Sequence, residues 1–194
     1  MKLLVATNNN GKLKEFNEIL GELGIECVSL KDMGIAVDVE ETGTTFLENA
    51  LLKAKEIHKI AGIPTISDDS GLMVDVLSGE PGVYSARYAG EPSDDQKNMD
   101  KLLLNLKGKK DRTARFKSVI AAVFSEDDIL VSEGECKGVI IDEKRGTNGF
   151  GYDPIFYVEA FSKTFAEMTD DEKNSVSHRG NAIRALKEQL KERM

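Results

Sequence analysis

The chain has 194 residues, 40% of them hydrophobic, which suits one large domain or a domain with a small lobe. Its 34 acidic and 26 basic residues leave a formal charge of −8, which argues against broad binding to a nucleic-acid backbone but not against a small phosphate ligand held by a local cluster of cations. No apolar run approaches the length of a membrane span. Cys27 and Cys136 lack any ligand spacing, and with only His58 and His178 a His-rich metal site is excluded, so a reduced, cytoplasmic protein is expected.

Residues 2–7 read as a strand, since Asn8-Asn9-Asn10 cuts the apolar start too short for a signal peptide. A helix follows over about 12–23, with Leu13, Phe16, Leu20 and Leu23 at helical spacing, and Gly24 stops it. Residues 25–30 form a second strand. A second helix spans about 46–61, with Phe46, Leu47, Ala50, Leu51, Ala54 and Ile57 on its buried face and Gly62 at its end.

A strand over 63–66 leads into Asp68-Asp69, where the pattern predicts that it ends and turns on Ser70-Gly71. Residues 78–95 are rich in loop formers, a helix covers 94–106, and 107–112 is a charged turn. Strands over 114–124, 129–137 and 138–141 form an antiparallel set, and 146–154 is a Gly-rich loop. Short and long helices, near 170–174 and 179–193, close the chain; Ile183, Leu186 and Leu190 line the latter. Early alternation of strands and helices, then clustered strands, predicts a mixed-sheet α/β protein.

Five segments carry residues suited to chemistry. Thr7-Asn8-Asn9-Asn10-Gly11-Lys12 joins a strand to a helix N-terminus, where free amides and the dipole favour an anion. Lys12 stands at the end of the helix that repels it, which a nearby phosphate would explain; an Asn-rich turn with a surface lysine is the alternative. This is not a Walker A loop, because the first glycine is missing and Leu13 follows the lysine. Glu40-Glu41 precedes the second helix, whose dipole alone would favour acids there. Within that helix Asn49 and Lys53 share one face and could project toward a ligand, whereas His58 reads as a surface residue.

Asp68-Asp69 is suited to holding a hard divalent cation and taking a proton from water, or is a solvated turn. In the loop, Phe150, Gly151, Tyr152 and Asp153 offer a stacking surface, close backbone approach and an acceptor, which suits a nucleobase. Ser177 reads as a helix cap, while His178 and Arg179 stand at the positive end of the last helix, as if facing an anion or a purine edge.

In this order, Thr7-x-Asn9-x-x-Lys12, Glu40-Glu41-Thr42-Gly43, Asp68-Asp69-Ser70-Gly71, Phe150-Gly151-Tyr152-Asp153-Pro154 and Ser177-His178-Arg179 resemble the motifs of the inosine triphosphate pyrophosphatase family, house-cleaning nucleotide hydrolases. The resemblance spans essentially the whole chain and includes Pro81 to Arg87. Asn8 departs from it, standing where many relatives have Gly, though Asn tolerates left-handed backbone.

The resemblance implies one nucleoside-triphosphate pyrophosphatase domain over residues 1–194, folded as two α/β lobes around a long central mixed sheet with a cleft between them, and a homodimer. It implies magnesium-dependent hydrolysis of ITP, dITP and XTP to the monophosphate and pyrophosphate; the charge and the lack of a long apolar run point to no nucleic-acid or membrane partner. Asp69 is then the expected base and a metal ligand, with Asp68 in support and Glu40 or Glu41 as further metal contacts. Lys12, Lys53, Lys173 and Arg179 would neutralise the triphosphate, aided by residues 7–11 and Ser70. Phe150, Gly151, Tyr152 and Asp153, with His178 and Arg179, would form the base pocket. Three rivals stand at this point: another pyrophosphatase specificity, such as modified pyrimidines; a regulator that binds purine triphosphates without cleaving them; and a nucleic-acid-binding protein, against which the acidic charge argues.

Overall fold

The computed structural model describes residues 1–193. Its strands are β1 (Lys2–Val5), β2 (Glu26–Val28), β3 (Thr65–Val74), β4 (Thr113–Ser125), β5 (Asp128–Ile140), β6 (Phe156–Val158) and β7 (Lys163–Thr164). The helices are α1 (Asn10–Leu20), α2 (Phe46–Ala61), α3 (Asp95–Asn105), α4 (Asp170–Val176) and α5 (His178–Arg193). The strands form one seven-stranded sheet in the order β2-β1-β3-β4-β5-β6-β7. It is mixed: β1 pairs parallel to both β2 and β3, while β5–β6 and β6–β7 are antiparallel. The fold is therefore α/β with flanking helices.

The chain divides into two compact units. The first holds Met1–Asp69, Ser118–Gly134 and the chain from His178 onward; the second holds Ser70–Lys117 and Glu135–Ser177. In the first, alternation along the strands sorts residues to two faces. Leu3, Val5, Ile66, Ile120 and Ala122 pack beneath Phe16 and Leu20 of α1 and Ile183 and Leu186 of α5. Leu4 meets Ile57 of α2, and Ala121 and Val123 meet Ala50 and Ala54 of the same helix. In the second unit, the rings of Phe116, Phe156 and Phe165 gather with centroids 4.6 to 5.6 Å apart, and Met99, Leu102 and Leu106 join them in one core.

Four differences from the sequence reading matter. First, β3 does not end at the acids: it runs through Asp68, Asp69, Ser70 and Gly71 to Val74. Second, β5 is one strand through Gly138 rather than two. Third, Leu47 is 37% exposed, while Asn49 takes a buried position on α2 in its place. Fourth, His58 is half-buried and its Nδ1 donates to the Ile63 carbonyl oxygen at 2.7 Å, stapling the end of α2. Among the described residues no helix is long and apolar enough to cross a membrane.

Candidate active site

Asp68 and Asp69 are adjacent in an extended strand, so their side chains leave opposite faces of the sheet. Asp68 points toward α1 and α5. Its Oδ1 accepts from Lys12 Nζ at 3.1 Å and its Oδ2 from Arg179 Nε at 3.0 Å. Arg179 also reaches Glu15 Oε2 at 3.5 Å through Nη1. Asp68 and Arg179 are only 6% and 5% exposed. Burial pushes the Asp68 carboxyl up, but the charges of Lys12 and Arg179 and their hydrogen bonds outweigh it and hold the group well below the usual carboxylate range. For Arg179, burial acts downward and the carboxylates of Asp68 and Glu15 more than reverse it.

These pairs account for two cations that stand at the repelling ends of helices. Lys12 lies in the first turn of α1 and Arg179 in that of α5; the anion each faces is the protein's own Asp68. The amides at the start of α1 are likewise engaged from within. Asn9 is the cap, its Oδ1 accepting from Gly11 N at 2.8 Å and Lys12 N at 3.2 Å, and Asn9 N donates to Thr7 Oγ1 at 3.0 Å. Asn8 and Asn10 are exposed beside it. Among the described residues the positive-φ non-glycines are Ser78 and Ser162, so Asn8 serves the turn without left-handed backbone.

The other face is organised by Asn49. This residue of α2 is 2% exposed; its Oδ1 accepts from Gly43 N at 2.7 Å and its Nδ2 donates to Asp69 Oδ2 at 3.0 Å. One buried amide thus links the stretch that follows Glu40-Glu41 to Asp69. One turn along α2, Lys53 Nζ donates to Glu41 Oε1 at 3.1 Å, while Glu40 is exposed. The helix itself starts where Thr45 and Glu48 form a reciprocal capping box, which sets the phase that turns Asn49 and Lys53 this way. The sequence reading placed Asn49 only as a possible ligand contact. Nothing in the sequence marks its bridging role, since Asn49 stands 6 positions from Gly43 and 20 from Asp69.

In the second unit, Ser70 follows on β3 and is half-buried. The loop of residues 146–154 presents Phe150, whose side is 56% exposed, and buries Tyr152. Tyr152 is a pillar rather than a stacking surface: its hydroxyl donates to the Ser85 carbonyl oxygen at 2.7 Å, and burial, then Tyr88 and Asp95, push that hydroxyl far up. Asp153 is buried, and its Oδ2 accepts from Phe150 N at 3.1 Å and from Lys173 Nζ at 2.6 Å. The Lys173 ammonium also lies 5.2 Å from the Phe150 ring centroid, a cation–π distance. Gly149 has φ +73°, and a Cβ there would run into the Asp153 carboxylate.

All four cations expected to meet a triphosphate therefore have a carboxylate partner: Lys12 and Arg179 with Asp68, Lys53 with Glu41, and Lys173 with Asp153. Ser177 closes α4, its N–H donating to the Lys173 carbonyl oxygen, and directly precedes His178, which opens α5 as a buried residue. Among the described residues no three His, Cys, Asp or Glu side chains gather closely enough to hold a metal by themselves.

A sequence model of the Ham1 family matches residues 3–189. A protein of Bacillus anthracis named dITP/XTP pyrophosphatase is 50% identical over 195 aligned residues, covering 98% of this chain and 96% of the relative. The structure of the Staphylococcus aureus Ham1 protein superposes with a TM-score of 0.92 at 43% identity over 100% of both chains. That of a HAM1 protein from Coxiella burnetii gives 0.93 at 42% identity over 99% of both. On a match that runs through every motif from Thr7 to Arg179, this chain belongs to the Ham1 family.

Proposed function

We infer that this chain hydrolyses non-standard purine nucleoside triphosphates, ITP, dITP and XTP, to the monophosphate and pyrophosphate. The observation that carries this reading is half-identity along nearly the whole chain to proteins named dITP/XTP pyrophosphatase. The residues fit the chemistry. Water attacks the α-phosphorus, the bond from that phosphorus to the α–β bridging oxygen breaks, and pyrophosphate leaves with the bond's electron pair. Asp69 takes the proton of the attacking water, and Asn49 fixes one of its oxygens from below.

The donor set suits a divalent cation. Glu40, Glu41 and Asp69 offer only carboxylate oxygens, and Mg2+ is commonly held by one or two carboxylates together with water and substrate phosphates, without an all-protein cage. When bound, such an ion neutralises phosphate charge and makes a bound water more acidic. Lys53 is positioned to exchange its Glu41 partner for a phosphate oxygen, and Lys12 and Arg179 keep a positive field around Asp68. Ser70 and the exposed side chains of Asn8 and Asn10 supply further donors to phosphate. In the second unit, Phe150 stacks on the base, and Asp153, Lys173 and the Gly151 backbone read its edge. A donor facing position 6 of the base favours the 6-keto oxygen of hypoxanthine and xanthine over the 6-amino group of adenine, whereas the Arg179 guanidinium is already bonded to Asp68 and Glu15. Each mismatched buried polar group costs about 1–3 kcal/mol.

The chain works as a single pyrophosphatase domain, as a homodimer in the cytoplasm, a setting that its two buried free thiols suit. A panel of ITP, dITP, XTP, ATP, GTP and dUTP assayed for pyrophosphate, with and without Mg2+, tests the reading. The three non-standard purines should lead by tenfold or more, roughly the value of one lost polar contact. Binding of ITP without pyrophosphate release would favour the regulator, and a dUTP preference the pyrimidine specificity.

A further inference from the structure

The loop that presents Phe150 is tied at both ends. At one, Thr147 N and Asn148 N donate to the Ala166 carbonyl oxygen at 3.1 and 3.0 Å, and Asn148 Nδ2 donates to that of Met168 at 2.9 Å. At the other, Tyr152 is buried and bonded to Ser85. Between these anchors lies the Phe150-Gly151 tip, with Gly149 and Gly151 both at positive φ. On its α3 side the loop and the start of α3, through Asp95, Gln96 and Met99, line an open pocket of about 310 Å³. Inside the loop the tip is held at Phe150, whose N–H donates to Asp153 Oδ2 at 3.1 Å and whose carbonyl oxygen accepts from Asp153 N at 3.2 Å. Toward the helix a further bond holds it, in which Gly151 N donates to Asp95 Oδ2 at 2.7 Å, the length of a charge-assisted hydrogen bond.

We propose that Asp95 is a positioning residue for base recognition, tethering the Gly151 backbone so that the Phe150 ring is presented in one place. Asp95 is not needed for the helix cap, because Asp94 performs that role by accepting from Lys97 N at 3.0 Å. Its neighbour Gln96 is engaged elsewhere, accepting from Lys144 Nζ at 3.0 Å. Asp95 is the acid of the helix's first turn, where the dipole also favours it, and from there its carboxylate reaches the loop. This inference rests on the reading of Phe150 as the base-stacking residue.

The test compares Asp95→Ala with Asp95→Asn, which keeps an acceptor oxygen but removes the charge. Three quantities are read: hydrogen exchange of the Gly151 amide without substrate, KM and kcat for ITP, and the ITP-to-ATP ratio of kcat/KM. The account predicts that Asp95→Ala speeds Gly151 exchange and raises KM for ITP about tenfold with kcat little changed, as for loss of one polar tether. The ITP-to-ATP ratio falls with it, and Asp95→Asn restores most of all three. Unchanged Gly151 exchange in Asp95→Ala overturns the tether. Faster exchange with KM and the nucleotide ratio unchanged overturns the role in recognition. If the wild-type chain fails to turn over ITP, the proposed function is what falls, and the exchange measurement still decides whether Asp95 holds the loop.

Discussion

The Asp68 carboxylate and the Arg179 guanidinium, 111 positions apart in the chain, are joined at 3.0 Å in a buried ion pair that Lys12 extends on the other carboxylate oxygen. Three sequence segments are thereby locked around one side chain. Removing a single partner of such a buried pair typically costs about 3–5 kcal/mol, because the remaining charge is left desolvated. Asp68→Ala, which takes a carboxylate from both Lys12 and Arg179 and leaves the latter its contact to Glu15, should lower the urea midpoint more than Lys12→Ala, whose partner keeps Arg179.

The same pair sets an acid limit. Because Asp68 has a lower pKa folded than unfolded, its contribution is complete above the unfolded value of about 4 and is lost as pH falls below that toward the folded value. Urea midpoints followed downward from neutral pH should hold steady to about pH 4 and then drop; in Asp68→Asn part of that drop should vanish.

Asp69 stands on the other face, and its effect should be on rate rather than fold. Asp69→Asn is expected to bind ITP but lose about 10² to 10⁴ in turnover, the range for removing a general base. Equilibrium binding and pyrophosphate release measured on the same preparation check this, and near-normal turnover would remove Asp69 from the role.

Asn49 couples Gly43 to Asp69. Asn49→Ala leaves both without this buried partner, at a cost of about 1–3 kcal/mol. Turnover should fall together with the melting temperature, whereas Lys53→Ala should impair turnover with little change in melting, since the Lys53–Glu41 pair is partly solvated.

Gly149→Ala places a Cβ against the Asp153 carboxylate at a backbone angle that disfavours side chains. The Asp153–Lys173 pair must then shift. KM for ITP should rise with kcat much less affected, read from initial rates.

How far the sequence discloses all this depends on whether the cause is local. The start and end of α2 are legible because Thr45, Glu48 and Gly62 carry their own capping geometry. The course of β3 is not. Two acids look like the end of a strand until Lys12 and Arg179 arrive from far along the chain to neutralise one, while Asn49 holds the other. In β5, Gly138 looks like a break, yet the Phe156 ring lies where its side chain would be, so the strand continues. Motif residues were recognisable as a set, but their pairing was not: Lys12, Lys53, Lys173 and Arg179 read as cations awaiting phosphate, and each is met by a carboxylate of the protein. Asp95 escaped notice altogether, because its partner is a backbone amide and no pattern in the sequence marks it.

The central claim, attack of water on the α-phosphorus of a non-standard purine nucleotide, is tested most directly by hydrolysing ITP in heavy-oxygen water and finding the label by mass spectrometry. The account predicts one heavy oxygen in inosine monophosphate and none in the pyrophosphate released. Label in pyrophosphate, or release of inorganic phosphate with inosine diphosphate, would contradict it.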